Sequence, residues 1–200
     1  MSRDFYRAMF DAVFSVVKNP LVVPNLGTNT ALLMEVGPRD ADLYMWGGMG
    51  LTHSIALGVA LAQPQRVVVA LDGDGSLLMG MSGLATIGAE RPSNLLHVVF
   101  DNHAWGNTGG QPTHTAARTS LAQVAAGCGY PRVVDEAEAS DLRDAATSFI
   151  ADPELTMVVV PTPIVDVGRG LELPDPPGIK TRFMRSLQRV GETSNERNTA

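Results

Sequence analysis

The chain of 200 residues has very little cysteine and no concentration of either charge. Its single cysteine, Cys128, excludes an intramolecular disulfide and any zinc site built from several cysteines, and it suits a reducing compartment. The 15 Lys and Arg residues against 21 Asp and Glu residues give a net charge of −6, with no basic cluster. Because nucleic-acid surfaces need clustered basic side chains, the composition argues against a nucleic-acid-binding protein.

Long hydrophobic runs are also missing. The longest apolar stretches, residues 67–71 and 157–160, are far too short to cross a bilayer. Residues 2–18 carry Asp4 and Asp11 and lack the continuous apolar segment of a signal peptide. We therefore expect a cytoplasmic protein with no membrane partner. With 44% hydrophobic and 18% charged residues, the composition is typical of a globular protein with its own core.

Short apolar runs alternate with segments of helical periodicity. The runs are rich in Val and Leu and do not alternate with polar residues, as in strands buried on both faces of a parallel sheet. They cover residues 21–23, 67–71, 95–100 and 155–160. Helices are expected over residues 2–18, 53–62, 79–90, 121–126 and 139–151. The alternation predicts an α/β fold with a doubly wound, mostly parallel sheet and helices on both faces.

The chain changes character after Pro161, where prolines become frequent. We interpret residues 1–165 as one α/β domain that contains the functional site. Residues 166–200 are expected to form a proline-rich arm with one short helix near residues 183–190 and a frayed end.

The second predicted strand ends in a turn suited to a bound anion. Gly73 and Gly75 allow the backbone to turn sharply and to approach a ligand closely. Ser76 opens the following helix, and an anion is favoured at a helix N-terminus. Asp74 places a negative charge in the same turn. Because an anion and a carboxylate repel each other unless a cation lies between them, the turn predicts a divalent metal that bridges Asp74 to a diphosphate.

A second set of oxygen ligands follows the next predicted strand. Asn102 lies 28 residues after Asp74 and supplies a neutral carbonyl oxygen, and the turn behind it exposes backbone carbonyls. Mg²⁺ prefers oxygen ligands in octahedral geometry and usually binds through one or two side chains and substrate phosphates. We therefore expect Asp74, Asn102 and the backbone oxygen of Ala104 to be the protein ligands of Mg²⁺.

The combination of Gly-Asp-Gly-Ser, a helix, a strand and Asp101-Asn102 resembles the cofactor-binding motif of thiamine diphosphate-dependent enzymes. Where this chain has Asp101-Asn102, the family motif has Asn-Asn. Asp101 departs from that pattern, while Asn102 matches the metal ligand. The resemblance covers roughly residues 20–190. It implies the thiamine diphosphate-binding fold, with thiamine diphosphate and Mg²⁺ as cofactors.

Two segments ahead of the motif extend this resemblance. Residues 45–52 resemble the family segment in which a bulky apolar side chain wedges beneath the cofactor and forces its bent shape. The matching residue is Met49, whose amide would face N3′ of the aminopyrimidine ring. The carbonyl of Gly47 would accept a hydrogen bond from the 4′-amino group. Thr28 matches an early diphosphate contact of the family.

A narrower resemblance follows Asn102. Residues 101–113 are similar to sulfopyruvate and phosphonopyruvate decarboxylases, which have Asp-Asn, a small insert, an aromatic-Gly pair and Thr-Gly-Gly-Gln-Pro-Thr. The resemblance implies a loop over the cofactor, with Trp105 and Gly106 in contact with it. Candidate substrate contacts on or beside this loop are His103, Thr108, Gln111 and His114.

The resemblance implies a subunit of a 2-oxo acid decarboxylase, most similar to the beta subunit of sulfopyruvate decarboxylase. Such an enzyme releases CO₂ and an aldehyde from a small 2-oxo acid. A phosphonopyruvate decarboxylase, an acetolactate synthase-like carboligase and a non-catalytic regulatory subunit remain alternatives. A dehydrogenase does not fit, because the turn lacks the third glycine of the dinucleotide motif and has an acid where a pyrophosphate would lie.

Enzymes of this family also need a second domain whose glutamate bonds N1′ of the aminopyrimidine ring. Glu35, Glu90 and Glu136 lie on or beside predicted helices and match no such position. We therefore expect a partner subunit that carries the aminopyrimidine-binding domain and the catalytic glutamate, so that the active enzyme is a hetero-oligomer.

Overall fold

The computed structural model describes residues 2–167 and 175–188. Its centre is a five-stranded parallel sheet in the order β1-β2-β3-β7-β6. The strands of this sheet are β1 (Leu21–Pro24), β2 (Val68–Gly73), β3 (Leu95–Asp101), β6 (Arg132–Val134) and β7 (Thr156–Pro161). Gly73 pairs with Phe100, so β2 and β3 end side by side at the same edge of the sheet. The predicted parallel sheet is confirmed.

Helices cover both faces of the sheet, as predicted. One core contains residues of α1 (Ser2–Phe14), α2 (Thr28–Val36) and α7 (Ala139–Ala151). The other core contains residues of α3 (Thr52–Ala62), α4 (Asp74–Met79), α5 (Gly83–Glu90), α6 (Leu121–Gly127) and α8 (Pro176–Gln188). None of the described helices is long and apolar enough to cross a membrane.

Successive strand residues supply the two cores in turn. Val69 and Leu71 belong to the core beneath α1, whereas Val68 and Ala70 belong to the core beneath α3. Because side chains alternate between the faces of a strand, a strand covered on both faces is apolar at most positions, and its few polar residues, such as Asp72 and His97, are buried as well. This explains why the apolar runs in the sequence do not alternate with polar residues.

The helix predicted over residues 79–90 is two helices, α4 and α5, separated by a turn that begins at Gly80. A Cβ atom at Gly80 would lie 1.9 Å from the carbonyl oxygen of Gly50. The backbone that leads into α3 therefore packs directly against this turn, and a contact so distant in sequence could not be read from local periodicity. The break also makes Asp74, rather than Met79, the first residue of a helix.

Three further elements were not predicted. Helix α2 follows β1, and β6 is a short, half-buried edge strand without an apolar run. A small antiparallel hairpin pairs β4 (Ala104–Trp105) with β5 (Gln111–Pro112) just beyond β3. The hairpin folds the chain after Asn102 back over the end of the sheet.

The C-terminal helix begins earlier than expected. Helix α8 starts at Pro176, and it buries Ile179 and Phe183 against the rest of the protein. The remainder of the predicted arm, residues 168–174 and 189–200, lies outside the described residues. The domain boundary at residue 165 stays a prediction.

Candidate active site

A cleft of about 620 Å³, its open mouth included, lies beyond the carboxyl ends of β1, β2 and β3. This is where a doubly wound sheet binds its ligands. Most of the predicted site residues line it, although they come from four separate segments. They are Thr28, Met49, Gly73, Asp74, Gly75, Ser76, Asn102, Ala104, Trp105, Gly106 and Thr108.

Asp74 is the acidic group of this cleft, and only 2% of its surface is exposed. The Thr113 hydroxyl donates a hydrogen bond of 2.6 Å to its carboxylate. Burial and, to a smaller extent, the nearby charge of Asp101 raise the pKa of Asp74 to about 6, although the hydrogen bond from Thr113 lowers it. Backbone hydrogen bonds at Gly75 and Asn102 act in the opposite direction and lower it. The site therefore disfavours the ionised carboxylate as long as no cation accompanies it.

The oxygen atoms around Asp74 fit a divalent cation. Among the residues that the structure describes, no Lys, Arg or His forms an ion pair with Asp74. Asn102 Oδ1 accepts a hydrogen bond of 2.9 Å from the backbone N–H of Ala104, and its second lone pair is available to a metal. A carboxylate, an amide oxygen and a backbone carbonyl are ligands that suit Mg²⁺. Within the described ranges no three His, Cys, Asp or Glu residues cluster in a metal-binding arrangement, so a site here depends on amide and carbonyl oxygens.

Residues 73–80, which include helix α4 and which we call the diphosphate turn after their predicted role, leave no room for a side chain at Gly75 or Gly80. A Cβ atom on Gly75 would lie 2.5 Å from the Trp105 indole ring, which covers this part of the turn. On the other side, Ser76 Oγ accepts a hydrogen bond of 3.0 Å from the backbone N–H of Gly50. This bond attaches the segment that contains Met49 to the diphosphate turn, and it brings the predicted wedge residue to the cleft.

Four predicted site residues do not line the cleft. Gly47 is exposed, and nothing lies within 4 Å of the position that its Cβ would take. His103 is exposed and lines a separate polar cavity, where its Nδ1 lies 3.0 Å from Thr115 Oγ1. Gln111 and His114 are exposed on and after the hairpin. Among the four candidate substrate contacts, Thr108 is the one that lines the cleft.

The cleft also contains residues that sequence reasoning missed: Tyr6, Asn25, Leu26, Asn29, Phe100 and Asn107. Asn25 directly follows β1, so the rule that ligands bind at strand ends could have found it. Asn107 accepts a hydrogen bond of 3.3 Å from the Thr28 hydroxyl, which links the loop between β4 and β5 to α2. Tyr6 comes from α1, and its hydroxyl donates to Thr162 Oγ1 at 3.1 Å. No local pattern places a residue of the first helix at this site.

Residues 27–160 match the family described as thiamine pyrophosphate enzyme, C-terminal TPP binding domain. This is more than half of the chain. The chain belongs to the thiamine pyrophosphate enzyme family. The matched segment includes every predicted cofactor and metal residue, from Thr28 to Gly106, and nearly all residues that line the cleft. Thiamine diphosphate, the first of the two expected cofactors, is thereby supported.

Relatives of the chain include both a named subunit of similar length and longer proteins. The chain is 34% identical over 188 residues to sulfopyruvate decarboxylase subunit beta of Methanocaldococcus jannaschii, covering 92% of this chain and 99% of that protein. It is 43% identical over 141 residues to phosphonopyruvate decarboxylase of Streptomyces viridochromogenes, covering 70% of this chain but 35% of that protein. The match to a named subunit thus spans almost the full length of that relative.

Solved structures of the thiamine pyrophosphate family share the fold. Benzoylformate decarboxylase from Polynucleobacter necessarius superposes with a TM-score of 0.67 at 20% identity, covering 79% of this chain and 33% of that chain. A thiamin diphosphate-dependent enzyme from Mycobacterium smegmatis gives a TM-score of 0.69 at 23% identity, with 79% and 31% covered. At these identities the likeness establishes the α/β thiamine diphosphate-binding fold.

Proposed function

We propose that this chain is the diphosphate- and metal-binding subunit of a thiamine diphosphate-dependent 2-oxo acid decarboxylase that converts sulfopyruvate to sulfoacetaldehyde and CO₂. The observation that carries the proposal is the match over 99% of the length of a sulfopyruvate decarboxylase beta subunit. The buried carboxylate of Asp74 beside Asn102, which pairs with no basic side chain among the described residues, supports the same assignment.

In this proposal the residues of the chain hold the cofactor rather than react with the substrate. Asp74, Asn102 and the backbone oxygen of Ala104 hold Mg²⁺, and the turn at Gly75 accommodates the diphosphate. Met49 supports the cofactor from below. When bound, thiamine diphosphate supplies the nucleophilic carbon that adds to the ketone of a 2-oxo acid and accepts the electrons released as CO₂ leaves. The protein contribution is a fixed position for that carbon.

We further propose that a partner subunit completes the site with the aminopyrimidine-binding domain and its glutamate. Among the residues that the structure describes, no glutamate lines the cleft. Glu35 forms an ion pair with Arg3, and Glu90 and Glu136 are exposed elsewhere. Gly47 is open to a second chain, which suits its proposed contact with the aminopyrimidine ring. The single cysteine suits the reducing cytoplasm, where we place the complex; cell fractionation tests this location.

A second candidate is decarboxylation of phosphonopyruvate, which the 43% identity to a phosphonopyruvate decarboxylase favours. An acetolactate synthase-like carboligase is a third, since acetolactate synthase 2 of Brassica napus is 32% identical over 54% of this chain. A regulatory subunit without catalysis would bind no cofactor in a metal-dependent way. The nature of the product separates decarboxylation from ligation.

The test is an assay of the co-purified complex with sulfopyruvate, phosphonopyruvate and pyruvate, with identification of the product. We expect sulfoacetaldehyde and CO₂ from sulfopyruvate, dependence on Mg²⁺ and thiamine diphosphate, and no turnover by this chain alone. We also expect Asp74→Ala to abolish metal-dependent cofactor retention. Undiminished binding of thiamine diphosphate to that variant complex would count against the metal assignment, and a carbon–carbon bonded product would overturn the decarboxylase assignment.

A further inference from the structure

A buried polar cluster lies beneath the diphosphate turn, and the proposed function uses none of its residues. Asp72, His53 and His97 are all 0% exposed, although they belong to β2, α3 and β3. The rings of His53 and His97 stack with their centroids 5.9 Å apart. Because buried polar groups are costly unless they are well bonded, such a cluster needs a structural or functional reason.

His53 bonds to both ends of the diphosphate turn. Its Nδ1 lies 3.0 Å from Asp72 Oδ2, and the other Asp72 oxygen accepts the backbone N–H of Gly73 at 2.9 Å. Its Nε2 lies 2.9 Å from the carbonyl oxygen of Gly80. A carboxylate and a carbonyl are both acceptors, so both ring nitrogens of His53 act as donors. The ring thus bonds directly to Gly80, the last residue of the turn, and is linked through Asp72 to Gly73, the first.

The packing around the ring leaves it no other position. A Cβ atom on Gly80 would lie 2.8 Å from His53 Cε1, and one on Gly83 would lie 2.6 Å from His53 Nε2. The backbone on both sides of the break between α4 and α5 therefore closes directly on the imidazole. Two hydrogen bonds and the close approach of Gly80 and Gly83 therefore tie the position of the ring to that of the turn.

We propose that His53 is a positioning residue that holds the diphosphate turn at both ends, so that Asp74 and Ser76 lie where the metal and the diphosphate require them. This inference rests on the proposed function, because the turn is assigned to the diphosphate there. His53 touches neither the metal ligands nor the cleft, and it acts through Asp72 and Gly80. His53 lies in the first turn of α3, directly after the segment that contains Met49. Its hydrogen bonds therefore also connect this segment to the diphosphate turn.

His97 provides a matched control within the same cluster. It is equally buried, but its Nε2 lies 3.7 Å from Asp72 Oδ2 and has no hydrogen-bond partner among the described residues. Its Nδ1 lies 3.3 Å from the hydroxyl of Tyr130, away from the turn. Replacement of His97 disturbs the same core without removing a bond to either end of the turn.

The first test measures the affinity of the co-purified complex for thiamine diphosphate at saturating Mg²⁺ by calorimetry. His53→Asn retains a donor near the position of Nδ1, and His53→Gln retains a donor near the position of Nε2. Each variant can therefore keep one of the two hydrogen bonds and loses the other. We expect each to weaken binding by about 10- to 100-fold, the range typical of residues that orient metal ligands. We expect His97→Gln to change the affinity for thiamine diphosphate by less than about threefold, even where this variant loses as much thermal stability as the His53 variants do.

The results separate a positioning role from a general structural one. Affinities that follow the melting temperature across all three variants, or His53 variants that bind as the wild type does, overturn the inference. A wild-type complex that binds no thiamine diphosphate contradicts the proposed function instead.

A second measurement needs no variant, and it covers the case in which the His53 variants fail to fold. In the ¹⁵N-labelled full-length chain we expect two slowly exchanging ring N–H protons on His53, one bonded to Asp72 and one to Gly80. A single ring proton on His53 would show that one end of the turn is not held, and it would overturn the inference.

Discussion

Asp72 and Asp74 stand two residues apart in the chain and are both buried, yet their pKa values move in opposite directions. Burial would raise the pKa of Asp72, but hydrogen bonding to His53 and the proximity of His97 outweigh it and hold the pKa well below its usual range. For Asp74 the effect of burial outweighs that of its hydrogen bonds, so its pKa is raised. No basic side chain among the described residues forms an ion pair with it. Asp72 is neutralised within the protein, whereas Asp74 is left for a ligand to neutralise.

The comparison shows how one turn serves two purposes. On the side of the core, Asp72 fixes the backbone to α3 through His53. On the side of the cleft, Asp74 faces Asn102 and Thr113. Removal of a buried carboxylate with an internal counter-ion leaves that counter-ion uncompensated, whereas a buried carboxylate without one costs stability until a metal binds. The same residue type therefore has opposite effects on the metal-free protein.

The largest effect is expected for Asp72→Asn. Removal of one partner of a buried ion pair costs about 3 to 5 kcal/mol of the free energy of unfolding, because the other charge is left uncompensated. Denaturant unfolding of the metal-free chain measures this loss, with Asp74→Asn as the control. A loss in Asp72→Asn no larger than in Asp74→Asn would break the comparison.

The opposite sign is expected for Asp74→Asn in the metal-free chain. The folded pKa of about 6 exceeds the unfolded value, so the carboxyl favours folding below about pH 4, and this contribution is lost as the pH rises through 6. Between pH 4 and pH 7 the free energy of unfolding of the wild type should therefore fall by about 2 to 3 kcal/mol through this group. The variant lacks the group and should not show this loss. Stability curves of both chains over this range, with and without Mg²⁺, measure the difference. A variant less stable than the wild type at pH 7 without metal would contradict the assignment.

The two glycines that flank Asp74 sharpen the comparison further. Gly75→Ala forces the Trp105 ring away, because the new Cβ would lie 2.5 Å from it, and overpacking of this kind costs about 1 to 3 kcal/mol. Gly73→Ala is the matched control, since its Cβ would meet Asn25 Nδ2 at an ordinary 3.4 Å. Thermal unfolding of both variants and the change in Trp fluorescence report the difference. Equal losses in the two variants would contradict the close contact at Gly75.

The smallest effect concerns the second histidine beside Asp72. Burial lowers the pKa of His97 against the influence of Asp72, so the folded chain holds this ring neutral. The unfolded chain takes up a proton below about pH 6.5, and stability is therefore lost as the pH falls. Between pH 7 and pH 5.5 we expect the free energy of unfolding of His97→Gln to fall by about 1 kcal/mol less than that of the wild type, as measured by denaturant unfolding. An unchanged pH profile would show that His97 is protonated in the folded state.

The predictable part of the molecule is the part in which local sequence carries the information. The apolar runs of β2, β3 and β7 identified the central strands, since strands covered on both faces are apolar at most positions. The Gly-Asp-Gly-Ser turn and Asn102 predicted an oxygen-rich site at the strand ends. Short or edge elements such as β6 and the hairpin carry no comparable pattern, and they were missed.

Contacts between distant segments could not be predicted. The break between α4 and α5 depends on the approach of Gly50 to Gly80, and the placement of Tyr6 in the cleft depends on how α1 crosses the sheet. His97 lies within the predicted strand run 95–100, and it is fully buried there. The bond from His53 to both ends of the turn has no counterpart in the sequence pattern.

The amino-acid sequence alone determined the fold class, the family and the chemical character of the cleft, because periodicity, turn residues and oxygen ligands are local properties. Only the tertiary structure decided which of two neighbouring aspartates has an internal partner. That choice depends on desolvation and on charges brought together from β2, α3 and β3, and neither quantity exists until the chain is folded.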